Sequence, residues 1–297
     1  MTQKVVVLMS TYNGETYLRH QLDTILNQTW ENTEIFIRDD GSKDGTLRIL
    51  EEYASKHENV SFVRGENLGS NRSFLELIQN APEADYYALS DQDDDWMPKK
   101  LSKAIEKLEG GEYLIYCGNK QQVDNDLLPL PNQTYGDLKP GFENAVIENI
   151  CTGCTCVFTK KMQQLLKDKL PEHPIYHDWW LYLVASYHGK VYFDKEPFIN
   201  YRQHGDNQVG ATVGLLERLK VEIKFFQKQK GQLRTQLTEF HNLYHGDKTK
   251  DALVESLLFD TKTFGGSLGF VFGHKVYRQA AFEGFACRIL FLLRQMI

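Results

Sequence analysis

Lys4-Val5-Val6-Val7-Leu8-Met9-Ser10-Thr11-Tyr12-Asn13-Gly14 decides the fold of this chain. Lys4–Ser10 is short, β-branched and nearly all apolar, which suits a strand covered on both faces, as in a parallel sheet. Thr11–Gly14 breaks it. An amphipathic helix follows, with Leu18, Leu22, Ile25 and Leu26 at helical spacing. The unit then recurs. Thr33–Arg38 reads as a second strand, ended by Asp39-Asp40-Gly41-Ser42. Asp44 is placed to cap a helix through Leu47, Ile49, Leu50 and Tyr53. Val60–Val63 is a third strand, and Gly69-Ser70 opens a helix with Phe74, Leu75 and Ile78. Tyr86–Leu89 is a fourth strand and Tyr113–Cys117 a fifth. Strand and helix alternate with short links to about residue 118, which predicts parallel strands joined by right-handed crossovers.

In such sheets ligands bind at the carboxyl ends of the strands. Three polar segments fall there: Ser10–Gly14, Asp39–Ser42 and Ser90-Asp91-Gln92-Asp93-Asp94-Asp95-Trp96. The last carries four carboxylates within five residues. Such a cluster is costly unless a cation or solvent relieves the repulsion. Mg2+ and Mn2+ prefer oxygen ligands and often combine one or two carboxylates with substrate phosphates. The alternative is a solvated acidic turn before the helix that begins after Pro98. No GxGxxG follows the first strand and no GxxxxGK[ST] occurs anywhere, which disfavours a dinucleotide-dependent dehydrogenase and a P-loop NTPase.

The 297 residues allow one large domain or a domain with an extension. Charge is split unevenly. Residues 213–297 carry 13 Lys+Arg against 8 Asp+Glu, net +5, which leaves net −11 for residues 1–212. The acidic part argues against nucleic acid as a partner; the basic part suits anionic lipid. No secretory signal precedes the first strand, and no apolar run reaches membrane-spanning length. The expected compartment is the cytoplasm. Cys117, Cys151, Cys154, Cys156 and Cys287 lack a second cluster that would complete a zinc site, and read as buried free thiols.

After residue 118 the alternation fails. Val123–Asn144 reads as a long loop or hairpin. Asn149–Phe158 looks like a strand, on which Cys154 and Cys156 would share a face. Lys160–Leu166 is a helix, and Tyr176-His177-Asp178-Trp179-Trp180 opens another. Lys190–Phe193 and Phe198–Tyr201 are short strands, followed by the polar loop Arg202-Gln203-His204-Gly205-Asp206-Asn207. Beyond Val213 the chain reads as helices.

Taken together, Ser10–Glu15, Asp39–Thr46, Asn67-Leu68-Gly69, Asp91-Gln92-Asp93-Asp94 and His177-Asp178-Trp179 resemble the family 2 glycosyltransferases of the GT-A fold. The resemblance covers about residues 3–210. Leu89–Asp94 and Tyr201–Asn207 look like the bacterial branch that uses dTDP-L-rhamnose to build cell-wall or surface polysaccharide.

The resemblance implies an α/β fold: a Rossmann-like mixed sheet flanked by helices. Residues 1–212 would form the catalytic domain, with 1–118 the nucleotide-binding half and 119–212 the acceptor-binding half; residues 213–297 would be a helical extension. Ser10, Tyr12 and Asp40 would hold the nucleobase and ribose. Asp91 would meet the ribose or a metal-bound water, and Asp93 the Mg2+ or Mn2+ ion. Asp94 and Asp95 are either supporting residues or helix caps. Asp178 would be the catalytic base, or a helix N-cap, or both. His204 would bind metal or diphosphate, or serve as a structural loop histidine; Arg202 could meet the diphosphate. Gly153-Cys154-Thr155 resembles a segment beside the sugar pocket, with a core strand as the other reading.

The reaction implied is inverting transfer to a lipid-linked oligosaccharide acceptor. The alternatives are another donor such as a UDP-hexose, a nucleotide-sugar-binding homologue without catalysis, and a nucleotidyltransferase. Leu215–Phe226 and Phe282–Ile297 are amphipathic and basic, and have three readings: packing on the catalytic domain, a homodimer interface, or docking at the inner face of the cell membrane.

Overall fold

The computed structural model describes residues 3–131, 136–203, 231–273 and 276–280, with positions 284, 287, 288 and 292. The chain divides into two compact units, each assembled from separate stretches. The first comprises Met1–Leu138, Cys151–Leu170 and Gly189–Gln208; the second comprises Lys139–Ile150, Pro171–His188 and Val209–Ile297.

The first unit is built on a seven-stranded sheet. Its strands are β1 (Val5–Thr11), β2 (Thr33–Asp39), β3 (Val60–Arg64), β4 (Tyr86–Ser90), β6 (Tyr113–Gly118), β8 (Val157–Thr159) and β9 (Lys190–Asp194), in the order β3-β2-β1-β4-β8-β6-β9. Helices α1 (Leu18–Leu26), α2 (Thr46–Lys56), α3 (Ser70–Gln79) and α4 (Lys100–Leu108) connect the early strands. Val5 to Met9 are all fully buried, as the apolar run predicts. Leu18, Gln21, Leu22 and Ile25 form the buried face of α1, a spacing of three and four residues.

β1 pairs in parallel with β2 and β4, and β2 with β3. The fifth expected strand, β6, does not pair with β4. β8 is inserted between them, antiparallel to both, so β6 runs parallel to β4 as expected but does not touch it. A second sheet of three strands, β5 (Asp95–Trp96), β10 (Ile199–Arg202) and β7 (Gln121–Val123), has β10 in the middle, antiparallel to β5 and parallel to β7.

The strand expected over Asn149–Phe158 is corrected to three residues. Before it, Thr155 N–H and hydroxyl both donate to the Thr152 carbonyl, at 2.9 and 2.7 Å, and Cys156 N–H donates to the Gly153 carbonyl. These bonds close a tight turn over Gly153–Thr155. Cys154 and Cys156 therefore do not share a strand face. All five cysteines are buried and none forms a disulfide.

In the second unit the helix His177–His188 is buried on nearly every side, from Trp179 through Tyr187. A short helix, Phe142–Ala145, begins at the end of the stretch read as loop. Gln232–Leu243, Lys248–Phe259 and Phe264–Phe272 are helical, as the sequence beyond Val213 predicts. Leu215–Phe226 and nearly all of Phe282–Ile297 lie outside the described residues.

Leu8, fully buried on the central β1, tests this core. Leu8→Ala is expected to lower stability by roughly 2–5 kcal/mol, read as a shift of the urea unfolding midpoint. An unchanged midpoint would contradict a packed environment on both sheet faces.

Candidate functional site

The rim of the first unit is formed where β1, β2 and β4 end, and its loops are bound together by side chains. Gln92 clamps the first and third loops: its Oε1 accepts from Tyr12 N–H at 2.8 Å and its amide donates to the Tyr12 carbonyl at 3.1 Å. A Cβ on Gly14 would sit 2.3 Å from the Gln92 side chain, so only glycine leaves room for the clamp. Asn13, at φ 49°, accepts from Lys43 N–H while its own N–H donates to the Ser42 hydroxyl. Asp39 accepts from Thr11, Ser42 and two backbone N–H groups of the second loop. Asp44 receives Thr46 N–H and Glu15 N–H, and so joins two loops, while Gly45 takes the helix-cap position.

Asp40 lies under this rim. It is paired with Arg38, and its two oxygens accept from Leu68 N–H and Gly69 N–H, each at 2.9 Å. Arg38 also donates to Glu76, Ser73 and the Glu66 carbonyl. The charged pair is buried and fully hydrogen-bonded, the condition under which such a pair is tolerated. Ser10 is half-buried, with its hydroxyl 2.7 Å from that of Ser73. Tyr12 is 43% exposed.

The four carboxylates of the acidic loop are not equivalent. Asp91 and Asp93 are half-exposed. Asp94 is 1% exposed, accepts from Arg202 N–H at 3.3 Å, and has a buried Oδ2 without a hydrogen-bond partner. Burial, reinforced by the charges of Asp91 and Asp93, pushes its carboxyl well above the usual range. Asp95 lies in β5, where it binds His20 at 2.8 Å and Asn200 at 2.7 Å. Neither Asp94 nor Asp95 caps the next helix, which begins at Lys100. Arg202 holds the loop from behind. Its Nε donates to the Asp93 carbonyl at 2.9 Å, its guanidinium reaches the Asn125 carbonyl, and it lies over the Tyr17 ring.

Asp91, Asp94 and Cys154 each bring a ligand atom within 4.8 Å of the others. A carboxylate group with an orphaned buried oxygen fits a divalent cation. The thiol is a soft donor, poorly matched to Mg2+. Asp93 is outside this group, and His204 lies outside the described residues.

In the second unit Asp178 is half-buried in the first turn of its helix and accepts from the Asn149 amide at 2.8 Å. It is not the N-cap: His177 precedes it within the helix, and Trp180 N–H already bonds to the Tyr176 carbonyl. Burial holds the His177 imidazole below its ordinary pKa and so favours the neutral ring.

Ser10, Tyr12, Asp91 and Asp93 lie at the strand ends of the first unit, with Asp40 buried beneath them and Arg202 behind the acidic loop, and Asp178 belongs to the second unit. Gln92, Arg38 and Asn149 carry the arrangement and were not anticipated.

A scan against family models matches residues 6–165 to Glycosyl transferase family 2. The chain belongs to this family. It is 30% identical to the dTDP-rhamnosyl transferase RfbG of Shigella flexneri, over 78% of this chain and 85% of that relative. Its fold is that of the GT-A glycosyltransferases. It superposes on TarS 1-349 from S. aureus in complex with UDP-GlcNAc with a TM-score of 0.60, at 19% identity over 91% of this chain and 76% of that one. The mannosyltransferase PcManGT of Pyrobaculum calidifontis, in complex with GDP-Man and Mn2+, gives 0.58 at 14% identity, over 99% and 86%.

One buried cation was not legible in the sequence. Lys100 is 2% exposed, makes no hydrogen bond through Nζ, and sits 3.5 Å from the centroid of the Trp96 ring. Burial draws its pKa down from 10.5 to about 8, against the opposing pull of Cys154, Cys156, Asp94 and Asp91. Because the folded value is depressed, charging Lys100 costs stability below pH 8, and the cost fades as pH rises toward 10.5. Lys100→Met should therefore be more stable than wild type at pH 7, by on the order of 3 kcal/mol. That gap should close towards pH 10.5 in urea unfolding; a gap independent of pH would refute the assignment.

Proposed function

We propose that this glycosyltransferase is inverting and metal-dependent, and moves L-rhamnose from dTDP-L-rhamnose to a lipid-linked glycan in cell-wall or surface polysaccharide synthesis. The 30% identity to a dTDP-rhamnosyl transferase over 85% of that relative carries the donor assignment. The carboxylate rim at the strand ends supports a diphosphate donor.

In this reading Tyr12 offers its exposed ring to the base, and Ser10 and Asp91 face the ribose. Asp40 belongs to the base-binding rim, where its bonds to Leu68 and Gly69 set the backbone beside the ligand. Asp93, with Asp91, would hold Mg2+ or Mn2+; the bound ion supplies Lewis-acid neutralisation of the leaving diphosphate. Arg202 acts by fixing the Asp93 backbone, a bond that leaves less of its guanidinium for the diphosphate.

Asp178 takes the proton of the acceptor hydroxyl as the new bond forms at C1. The electron pair of the broken C1–O bond leaves with the nucleotide diphosphate. The Asn149 amide orients the Asp178 carboxylate by donating to Oδ1.

Asp178→Asn is expected to keep donor binding and to lose about 10²–10⁴-fold in kcat for transfer, with KM for the donor unchanged. Normal turnover by this variant would remove the base role. A thermal-shift screen of nucleotide sugars should single out dTDP-L-rhamnose, and EDTA should abolish its transfer. Stabilisation by a UDP-hexose alone would shift the donor to the class that TarS binds, and full activity after chelation would rule out the metal.

A further inference from the structure

The strand order β2-β1-β4-β8-β6 sets out a row of positions along the rim of the first unit. The loops after β2 and β1 stand at one end of the row, and the acidic loop after β4 stands in the middle. β8 runs the other way, so the residues before it reach this same rim: Leu89 N–H, near the end of β4, donates to the Cys156 carbonyl at 3.1 Å. β6 runs parallel to β4, so the residues after Gly118 continue the row. A nucleotide sugar with its base and ribose over the first loops and its metal at the acidic loop would carry its diphosphate and sugar towards residues 118–120 and 152–156.

Lys120 is the cation at that place. Its backbone is fixed on both sides: Asn119 donates from N–H to the Asp194 carbonyl at 2.8 Å and from its amide to the Lys195 carbonyl at 2.7 Å, and β7 begins at Gln121. The side chain is half-buried. Its Nζ donates to the Thr152 hydroxyl at 3.3 Å and lies 4.1 Å from the centroid of the Tyr201 ring. Burial raises the Tyr201 hydroxyl above its usual pKa, and the charges of Asp91, Asp94 and Asp93 add to the rise, so this ring stands close to the acidic loop. Burial also raises the Cys154 thiol; Asp94 and Asp91 reinforce the rise and Lys120 opposes it. The Cys154 sulfur is in turn within 4.8 Å of ligand atoms of both acids.

The charge of Lys120 meets no carboxylate in an ion pair among the described residues. An ammonium has three N–H donors, and Thr152 accepts from one of them over a long contact. The neighbouring cations differ. Arg202 is committed to two carbonyls and the Tyr17 ring, Arg38 to Asp40 and Glu76, and Lys100 is 2% exposed.

We infer that Lys120 binds the diphosphate of the donor, with its ammonium on the phosphate bonded to C1 of the sugar. A lysine ammonium is a compact charge with rotatable donors, which suits a phosphate whose negative charge grows as the C1–O bond breaks. No proton moves in this contact: the electron pair goes to the phosphate oxygen, and Lys120 stays an ammonium beside it. Thr152 and Tyr201 hold Nζ at the rim in advance, which limits the entropy lost on binding. This role rests on the nucleotide-sugar reading of the site, and on no particular base or sugar.

The test is calorimetric binding of dTMP, dTDP, UMP and UDP to the full chain in the presence of Mn2+. Wild type should bind dTDP or UDP more tightly than the matching monophosphate. Lys120→Gln should weaken binding of that diphosphate about tenfold, the loss of one hydrogen bond to a charged group, and leave the monophosphate unchanged. Unchanged monophosphate binding also reports that the variant is folded. Lys120→Arg, which keeps the charge, should retain more of the diphosphate affinity than Lys120→Gln. Equal weakening of monophosphate and diphosphate would make Lys120 a support of the pocket and overturn the proposal, and so would diphosphate binding by Lys120→Gln equal to that of wild type; both results leave the nucleotide-sugar reading intact. A wild type that binds neither dTDP nor UDP would remove that reading and the role of Lys120 with it.

Discussion

Four carboxylates in five residues cannot all face one another at full charge, and the rim of the first unit is organised by how that repulsion is contained. The backbone turns Asp94 inward, where burial favours its neutral form. Asp95 is drawn into a strand pair and held by His20 and Asn200. That leaves Asp91 and Asp93 half-exposed. Arg202 meets this loop twice, donating from Nε to the Asp93 carbonyl and from its backbone N–H to Asp94 Oδ1, so the backbone that presents Asp93 is held in place.

The same logic applies to the neighbouring loops. Gln92, Asn13, Asp39 and Asp44 each join one loop to another through backbone N–H or C=O groups. Irregular segments have few backbone partners of their own, so each unpaired backbone group is an opportunity for a side chain to fix the loop. Asp40 and Arg38 extend this below the rim, as a buried pair whose remaining hydrogen bonds fasten residues 66 to 69. Conformational entropy lost in folding is then not lost again on binding, which is the physical content of a preorganised site.

How much of this was legible depends on the range of the signal. β1 to β4 and their helices were readable because burial on both faces and periodicity are local properties of Val5–Met9, Leu18–Ile25 and Thr46–Tyr53. The place of β8 was not, since only pairing with Tyr86–Ala88 on one side and Ile115–Tyr116 on the other puts Val157–Thr159 between β4 and β6. Asp178 is singled out by its motif alone, whereas Asn149, which donates to it, lies twenty-nine residues earlier in an irregular stretch. Lys100 stands beside Lys99 in a run that reads as a solvated helix start. Only the placement of Trp96 and the acidic loop over it reveals that one of the two lysines is buried.

Two helices of the second unit show the limit of pattern reading from the other side. His177–His188 and Phe264–Phe272 both lack the polar stripe of a half-buried helix, and a helix apolar all round must be covered by protein or by lipid. The first is covered: Trp180 packs against Phe240 and Tyr244, Tyr187 against Phe142 and Phe240, and Trp179 donates to the Ala145 carbonyl. The second is covered on one side only, with Ser267 bonded to the Thr261 carbonyl and Phe270 and Val271 turned inward. Sequence alone gives the two helices the same description. The difference lies in what surrounds them among the described residues: Trp179 through Tyr187 are all buried, whereas Phe264, Leu268 and Phe272 are exposed.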